Sequence, residues 1–159
     1  MANKRKQIEM SEEEIRAFLD EEKVAVVTSF GPRGWPHSMP LWYVEKDGHI
    51  RSWTFRKSQK VRNIERDPRA TVLVEAGYDR YDQLRGVMIE AETVIHDDLD
   101  TVVEYGLGSA GRYAPGGEES EPSPEMVEAF RAQAPKRVVL EFVPVHIVSW
   151  DHRQLGGIY

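Results

Sequence analysis

The chain has 159 residues, no Cys, and 21 Lys and Arg against 27 Asp and Glu, for a net charge of -6. That length predicts one domain with a core of its own, and the absence of Cys excludes a disulfide framework, thiolate metal ligands and a cysteine nucleophile. The acidic balance argues against a general nucleic-acid binder. No run approaches the ~20 apolar residues of a membrane span, and the charged start Met1-Ala-Asn-Lys-Arg-Lys6 has no apolar stretch behind it, so a cytoplasmic protein is expected.

Residues 1–10 read as a basic N-terminal arm, 11–155 as a single domain and 156–159 as a tail. Ser11-Glu-Glu-Glu14 is a capping box, and Ile15, Phe18 and Leu19 follow at helical spacing, which predicts an amphipathic helix over 11–21. Residues 23–29 are β-branched and predict a buried strand. Phe30-Gly-Pro-Arg-Gly34 is a turn, 37–45 a second strand, Lys46-Asp-Gly48 a hairpin and 49–54 a third strand. A helix over 57–66 is stopped by Asp67-Pro68. Strands follow over 71–75 and 86–95, the latter alternating Val87, Ile89 and Ala91 with Met88, Glu90 and Glu92.

Leu99, Val102 and Val103 predict a helix over 97–105, and the Gly-, Pro- and Glu-rich stretch 106–122 a flexible loop or lid. Ser123-Pro-Glu opens another helix with Ser as cap and Pro at its first position, and 137–150 is a long strand bent at Pro144. Early hairpins without regular strand–helix alternation predict a mainly β fold: an antiparallel barrel with peripheral helices, not a doubly wound parallel sheet.

The most distinctive feature is the charge of one segment. From Arg51 to Arg69 there are seven Lys or Arg and two acids, +5 locally, which leaves -11 on the rest of the chain. The segment spans a strand-to-helix junction, where free backbone N–H groups, hydroxyls and ammonium groups converge readily on phosphate oxygens. A solvated helix face and a stacking site for single-stranded nucleic acid are the alternatives; no second basic stretch of similar density supports the latter.

Four patches carry a family resemblance: Gly31-Pro-Arg-Gly-Trp-Pro-His-Ser-Met-Pro-Leu-Trp-Tyr43; Lys57-Ser-Gln-Lys60 with Asn63-Ile and Asp67-Pro-Arg69; Tyr81-Asp-Gln-Leu-Arg-Gly86; and Ser149-Trp-Asp-His-Arg-Gln-Leu155. In these the chain resembles the pyridoxamine 5'-phosphate oxidase-like split-barrel superfamily that binds flavin mononucleotide (FMN) or deazaflavin, and within it the actinobacterial F420-dependent oxidoreductases of the B type. The resemblance implies a six-stranded antiparallel split β-barrel, a homodimer with the coenzyme at its interface, and hydride transfer to or from a small organic substrate. Coenzyme F420 is the expected cofactor, with FMN as the alternative, and a non-catalytic coenzyme carrier is a further possibility.

Carried over by position, Lys60 leads the phosphate contacts, followed by Ser58, Lys57 and Thr54; Trp53 and Gln59 complete the cofactor-binding set. Met39, Pro40, Leu41 and Trp42 border the ring, and Gln83 adds a weaker contact. Arg56, Arg62 and Lys4-Arg-Lys6 offer the extra charge that an oligoglutamate tail needs. Gln59-Lys60 replaces the Arg-Lys pair of pyridoxal-phosphate enzymes and no arginine-rich tail follows, which argues against pyridoxamine oxidation itself. No catalytic side chain is assigned; Tyr81 or His37 could hold a substrate proton.

Other motifs carry less. Gly106-Leu-Gly-Ser-Ala-Gly111 matches a dinucleotide fingerprint by letter, but it lacks the strand before it and the helix after it that the fingerprint needs. His37, His49, His96, His146 and His152 show no metal-ligand spacing, so structural or exposed roles and no metal are expected.

Overall fold

The computed structural model describes residues 4–113 and 121–156. After a short helix α1 (Lys4–Gln7), the capping box forms as its spacing predicts. Ser11 Oγ accepts from the Glu14 N–H, and Glu14 reaches back to the Ser11 N–H at 2.7 Å, opening α2 (Glu12–Glu21). Phe18 and Leu19 of α2 are buried against the sheet.

Seven strands, not six, are found among the described residues: β1 (Val24–Phe30), β2 (Pro36–Trp42), β3 (Val44–Lys46), β4 (His49–Phe55), β5 (Arg69–Ala76), β6 (Arg85–His96) and β7 (Arg137–Asp151). They form one antiparallel sheet in the order β2-β1-β5-β6-β7-β4-β3. The extra strand arises because the expected strand 37–45 breaks at Tyr43. There the backbone leaves β1, its partner as β2, and joins β4 as β3. The sheet's two edge strands are therefore consecutive in the chain, so the sheet must curl until its edges meet. A hydrogen bond from Ser52 Oγ of β4 to the Trp42 carbonyl at the end of β2, 2.7 Å, ties one edge to the strand next to the other.

Alternation places the core inside this curl. Val27, Ile50, Val72, Ile89, Leu140 and Phe142 are almost fully enclosed, and each such side chain contributes about 1.5–3 kcal/mol by burial. Across the start of β7 the outer face is covered as well. Val139 packs there with Val102 and Ala134 beneath α4 (Leu99–Tyr113) and α5 (Pro124–Gln133). Ser123 caps α5 as expected, accepting from the Met126 N–H. β7 bends where Ala91 pairs with Pro144 and Glu90 with His146, which leaves Val145 as the extra residue of a bulge.

The expected loop over 106–122 is corrected for residues 106–113, which complete α4; residues 114–120 lie outside the described ones. Glycine there does not end the helix because packing overrides propensity. A Cβ at Gly106 would stand 2.6 Å from the Phe130 ring of α5 and 3.3 Å from Trp53. The glycine is what lets the two helices and β4 approach. No described helix is long and apolar enough to cross a membrane.

Candidate functional site

Phe55 ends β4, and the chain turns through Arg56-Lys57-Ser58 into α3 (Gln59–Arg66). The turn is held by the Ser58 N–H donating to the Phe55 carbonyl (3.1 Å) and by the Arg56 N–H donating to Lys136 (3.0 Å). Val61 and Ile64 bury one face of α3 in the core. Asn63, fully buried, donates from Nδ2 to Ser29 Oγ of β1 (3.1 Å), and its Oδ1 accepts from Gln59 (2.8 Å). The N-terminus of α3 is thereby fixed in place.

What the turn leaves unsatisfied is informative. Ser58 occupies the N-cap of α3, yet its hydroxyl makes no capping bond, and Oγ is buried without a partner among the described residues. An N-cap serine ordinarily satisfies one of the free N–H groups of the first turn. Two residues on, within the first turn, Lys60 is half-buried and makes no ion pair among the described residues; burial holds its pKa below the ordinary lysine value. A helix N-terminus, an unused hydroxyl and a desolvated ammonium group within three residues of one another are the chemistry that an anion site calls for.

The other predicted residues are distributed around this point. Thr54 is buried on the inner face of β4. Trp53, its neighbour, lies on the outer face between Phe130 (ring centroids 5.2 Å apart) and the Arg137 guanidinium (4.3 Å), with Nε1 buried and unpartnered. Lys57 opens onto an outer cleft with Lys136, whereas Gln59 lines a small pocket with Arg33, Trp35 and His37. His37 Nδ1, like Trp53 Nε1, is buried without a partner among the described residues.

On β2, residues alternate: Met39 pairs with buried Val27 and Leu41 with buried Ala25, while Pro40 and Trp42 take the opposite face. The four residues therefore cannot all lay side chains on one ring; a ring along β2 would meet one pair of side chains and the strand's edge. Trp42 is 61% exposed, and its indole stacks at 4.5 Å and 4° on Tyr113 at the end of α4. The Tyr113 hydroxyl accepts from the Tyr43 N–H (2.8 Å) and lies 2.6 Å from both the Tyr43 and Lys23 carbonyls, so its one proton is shared between two acceptors. Burial raises the pKa of Tyr113, despite the hydrogen bond with Tyr43 and the nearby Arg112, and keeps the phenol protonated.

Two predicted contributors are not brought to the anion site within one protomer. Gln83 packs its backbone against Gly77, just past the far end of β5. The eight residues of β5 separate it from α3, about 25 Å at ~3.3 Å per residue. Arg5 and Lys6 lie beside His146–Ser149, toward the far end of β7 from Arg137.

A second group of titratable residues escapes sequence reading altogether. Glu141 Oε1 lies 2.8 Å from His49 Nδ1 and 2.7 Å from Arg51 Nη2, and its Oε2 lies 2.6 Å from His96 Nε2. These residues stand on β4, β6 and β7, side by side only because the strands pair.

An antiparallel sheet whose edges meet at Tyr43, with α3 across one end, defines a split-barrel protein. The sequence family described as pyridoxamine 5'-phosphate oxidase matches residues 11–151, and the chain belongs to that family. Among solved structures it is similar to the conserved hypothetical protein Rv2991 from Mycobacterium tuberculosis (36% identity, TM-score 0.87, 98% of this chain and 93% of that one). It shares its fold with an F420 reductase (21% identity, TM-score 0.59, 83% and 94% covered). It also shares it with the heme storage protein HutZ from Vibrio cholerae (14% identity, TM-score 0.65, 87% and 94% covered). No curated protein matches the sequence.

Proposed function

We propose that this protein is a cytoplasmic, homodimeric oxidoreductase that binds the deazaflavin coenzyme F420 and resembles the B-type F420-dependent enzymes. The observation that carries the reading is the pairing of a half-buried, unpaired Lys60 with the unused Ser58 hydroxyl at the start of α3. Those residues fit the phosphate that F420 and FMN have in common. Lys60 supplies the charge, and Ser58 Oγ and the first N–H groups of α3 donate hydrogen bonds. The exposed side of β2 offers a wall for a planar ring, stiffened by the Tyr113 stack behind Trp42. When bound, the ring supplies the hydride chemistry, and the protein supplies position and electrostatics. A homodimer is the arrangement in which Gln83 and the basic arm of one protomer can reach the anion site of another.

FMN is the second reading, because a site of one lysine, one serine and a helix N-terminus serves either phosphate. A non-catalytic carrier is the third; the fold shared with a heme storage protein keeps it in view. The deciding experiment is a fluorescence titration with F420 and with FMN, on the protein and on Lys60→Ala. Preferential F420 binding, weakened about tenfold or more by the substitution, supports the proposal; a tenfold change corresponds to ~1.4 kcal/mol. Preferential FMN binding moves the protein to the second reading. Tight binding without turnover of reducible acceptors moves it to the third, and binding of neither coenzyme overturns all three.

A further inference from the structure

On the outer side of the α3 turn lies a cleft of about 370 Å³ lined by Phe55, Arg56, Lys57, Pro135 and Lys136. Only Lys57 is shared with the residues considered for the coenzyme phosphate. The Phe55 ring is 55% exposed and forms the apolar floor together with the exposed Pro135. The rim is cationic. Arg56 is paired with Asp97 at 3.3 Å, but Lys57 and Lys136 make no ion pair among the described residues.

Beside them, the Arg137 guanidinium is held 3.4 Å from the centre of the Phe55 ring and 4.3 Å from that of Trp53. Its side chain donates to the neutral Gln133 (3.2 Å), and its Nε is buried with no acceptor among the described residues. A cation clamped between aromatic rings, partly dehydrated and with no carboxylate against it, is poised for an anion from outside. Solvated surface lysines alone would not explain that arrangement.

We propose that this cleft is a binding site for a small organic anion, a carboxylate or phosphate monoester with an aromatic or apolar body. The body lies on Phe55 and Pro135, and the charge sits between Lys57 and Lys136 on the rim, with the Arg137 guanidinium adding positive potential from beside the Phe55 ring. The volume is within the range of small-molecule sites, which pair apolar walls with a few placed charges. The cleft shares Arg56 and Lys57 with the coenzyme reading but not Lys60 or Ser58, so Lys136→Glu, outside the coenzyme set, tells the two apart.

The test is a calorimetric titration of the intact protein, with tryptophan fluorescence as a second readout through Trp53. The probes are 4-phenylbutyrate, phenyl phosphate, the uncharged 4-phenylbutyramide and inorganic phosphate. The organic anions should bind one per chain, at least tenfold more tightly than either the amide or inorganic phosphate, and the tighter of the two names the anionic group. Lys136→Glu, an exposed substitution whose fold is checked by circular dichroism, should weaken them tenfold or more. Phe55→Ser should weaken the organic anions while leaving inorganic phosphate unchanged. Equal binding of acid and amide, equal binding of organic and inorganic anion, or organic-anion binding untouched by Lys136→Glu would each overturn the proposal, as would no binding at all.

Discussion

Glu141 shows how much a single side chain can gather. Its carboxylate is 13% exposed and accepts from two histidines and an arginine on neighbouring strands. Burial by itself raises a carboxyl pKa, but the hydrogen bonds from His49, His96 and Arg51 outweigh it and hold Glu141 at about 2, against an ordinary 4.5. The folded-state pKa is depressed, so the stabilisation is fully present above about pH 4.5 and is lost as pH falls from there toward 2. A depression of this size corresponds to something on the order of 3 kcal/mol. Glu141→Gln should lower the urea midpoint at pH 7 and flatten the loss of stability between pH 4.5 and 2; an unchanged acid limb would show that the cluster is not coupled to folding. Arg51, whose side chain is only 10% exposed, would be left without its counter-charge.

Elements were legible in the sequence where their signals are local. The Ser11–Glu14 box, the Ser123 cap and the Asp67-Pro68 stop involve residues a few positions apart, and each forms where expected. The start of α3 was legible for the same reason, because charge, hydroxyl and helix onset are contiguous. The second half of α4 was not: three glycines in six residues read as loop, and the contact with α5 that calls for Gly106 involves a helix that follows later in the chain. Glycine-to-alanine changes usually strengthen a helix by up to ~1 kcal/mol. Gly106→Ala should do the reverse, because the added methyl meets Phe130 and Trp53, with a cost of about 1–3 kcal/mol from overpacking. Gly108→Ala, with open space around its Cβ position, is the control, and thermal melts of both variants measure the difference.

At the scale of the whole molecule, the antiparallel, mainly β class followed from hairpin signals, while the strand count did not. The break at Tyr43 depends on a hydroxyl 70 residues away, and the Glu141 cluster on separations of 92 and 45 residues; neither leaves a local trace. A homodimer predicts a sedimentation mass near twice 18.3 kDa. A monomer at micromolar concentration would remove the route by which Gln83 and the basic arm reach an anion site.

The junction of the sheet edges at Tyr43 also sets an order of events in folding. β2 and β3 are joined through Tyr43 from the start yet stand at opposite ends of the strand order, so the curl closes around that corner only when the long-range pairings β1–β5 and β4–β7 have formed. Closure then waits on Tyr113 and on Arg112, which binds Asp20 and the carbonyls of Leu19, Asp20 and Glu22. Contacts that form after the rate-limiting step govern how fast a protein comes apart, not how fast it assembles. The seam is therefore a kinetic latch: Tyr113→Phe should accelerate unfolding in stopped-flow measurements and leave the refolding rate nearly unchanged, whereas equal slowing of refolding would place the seam in the nucleus.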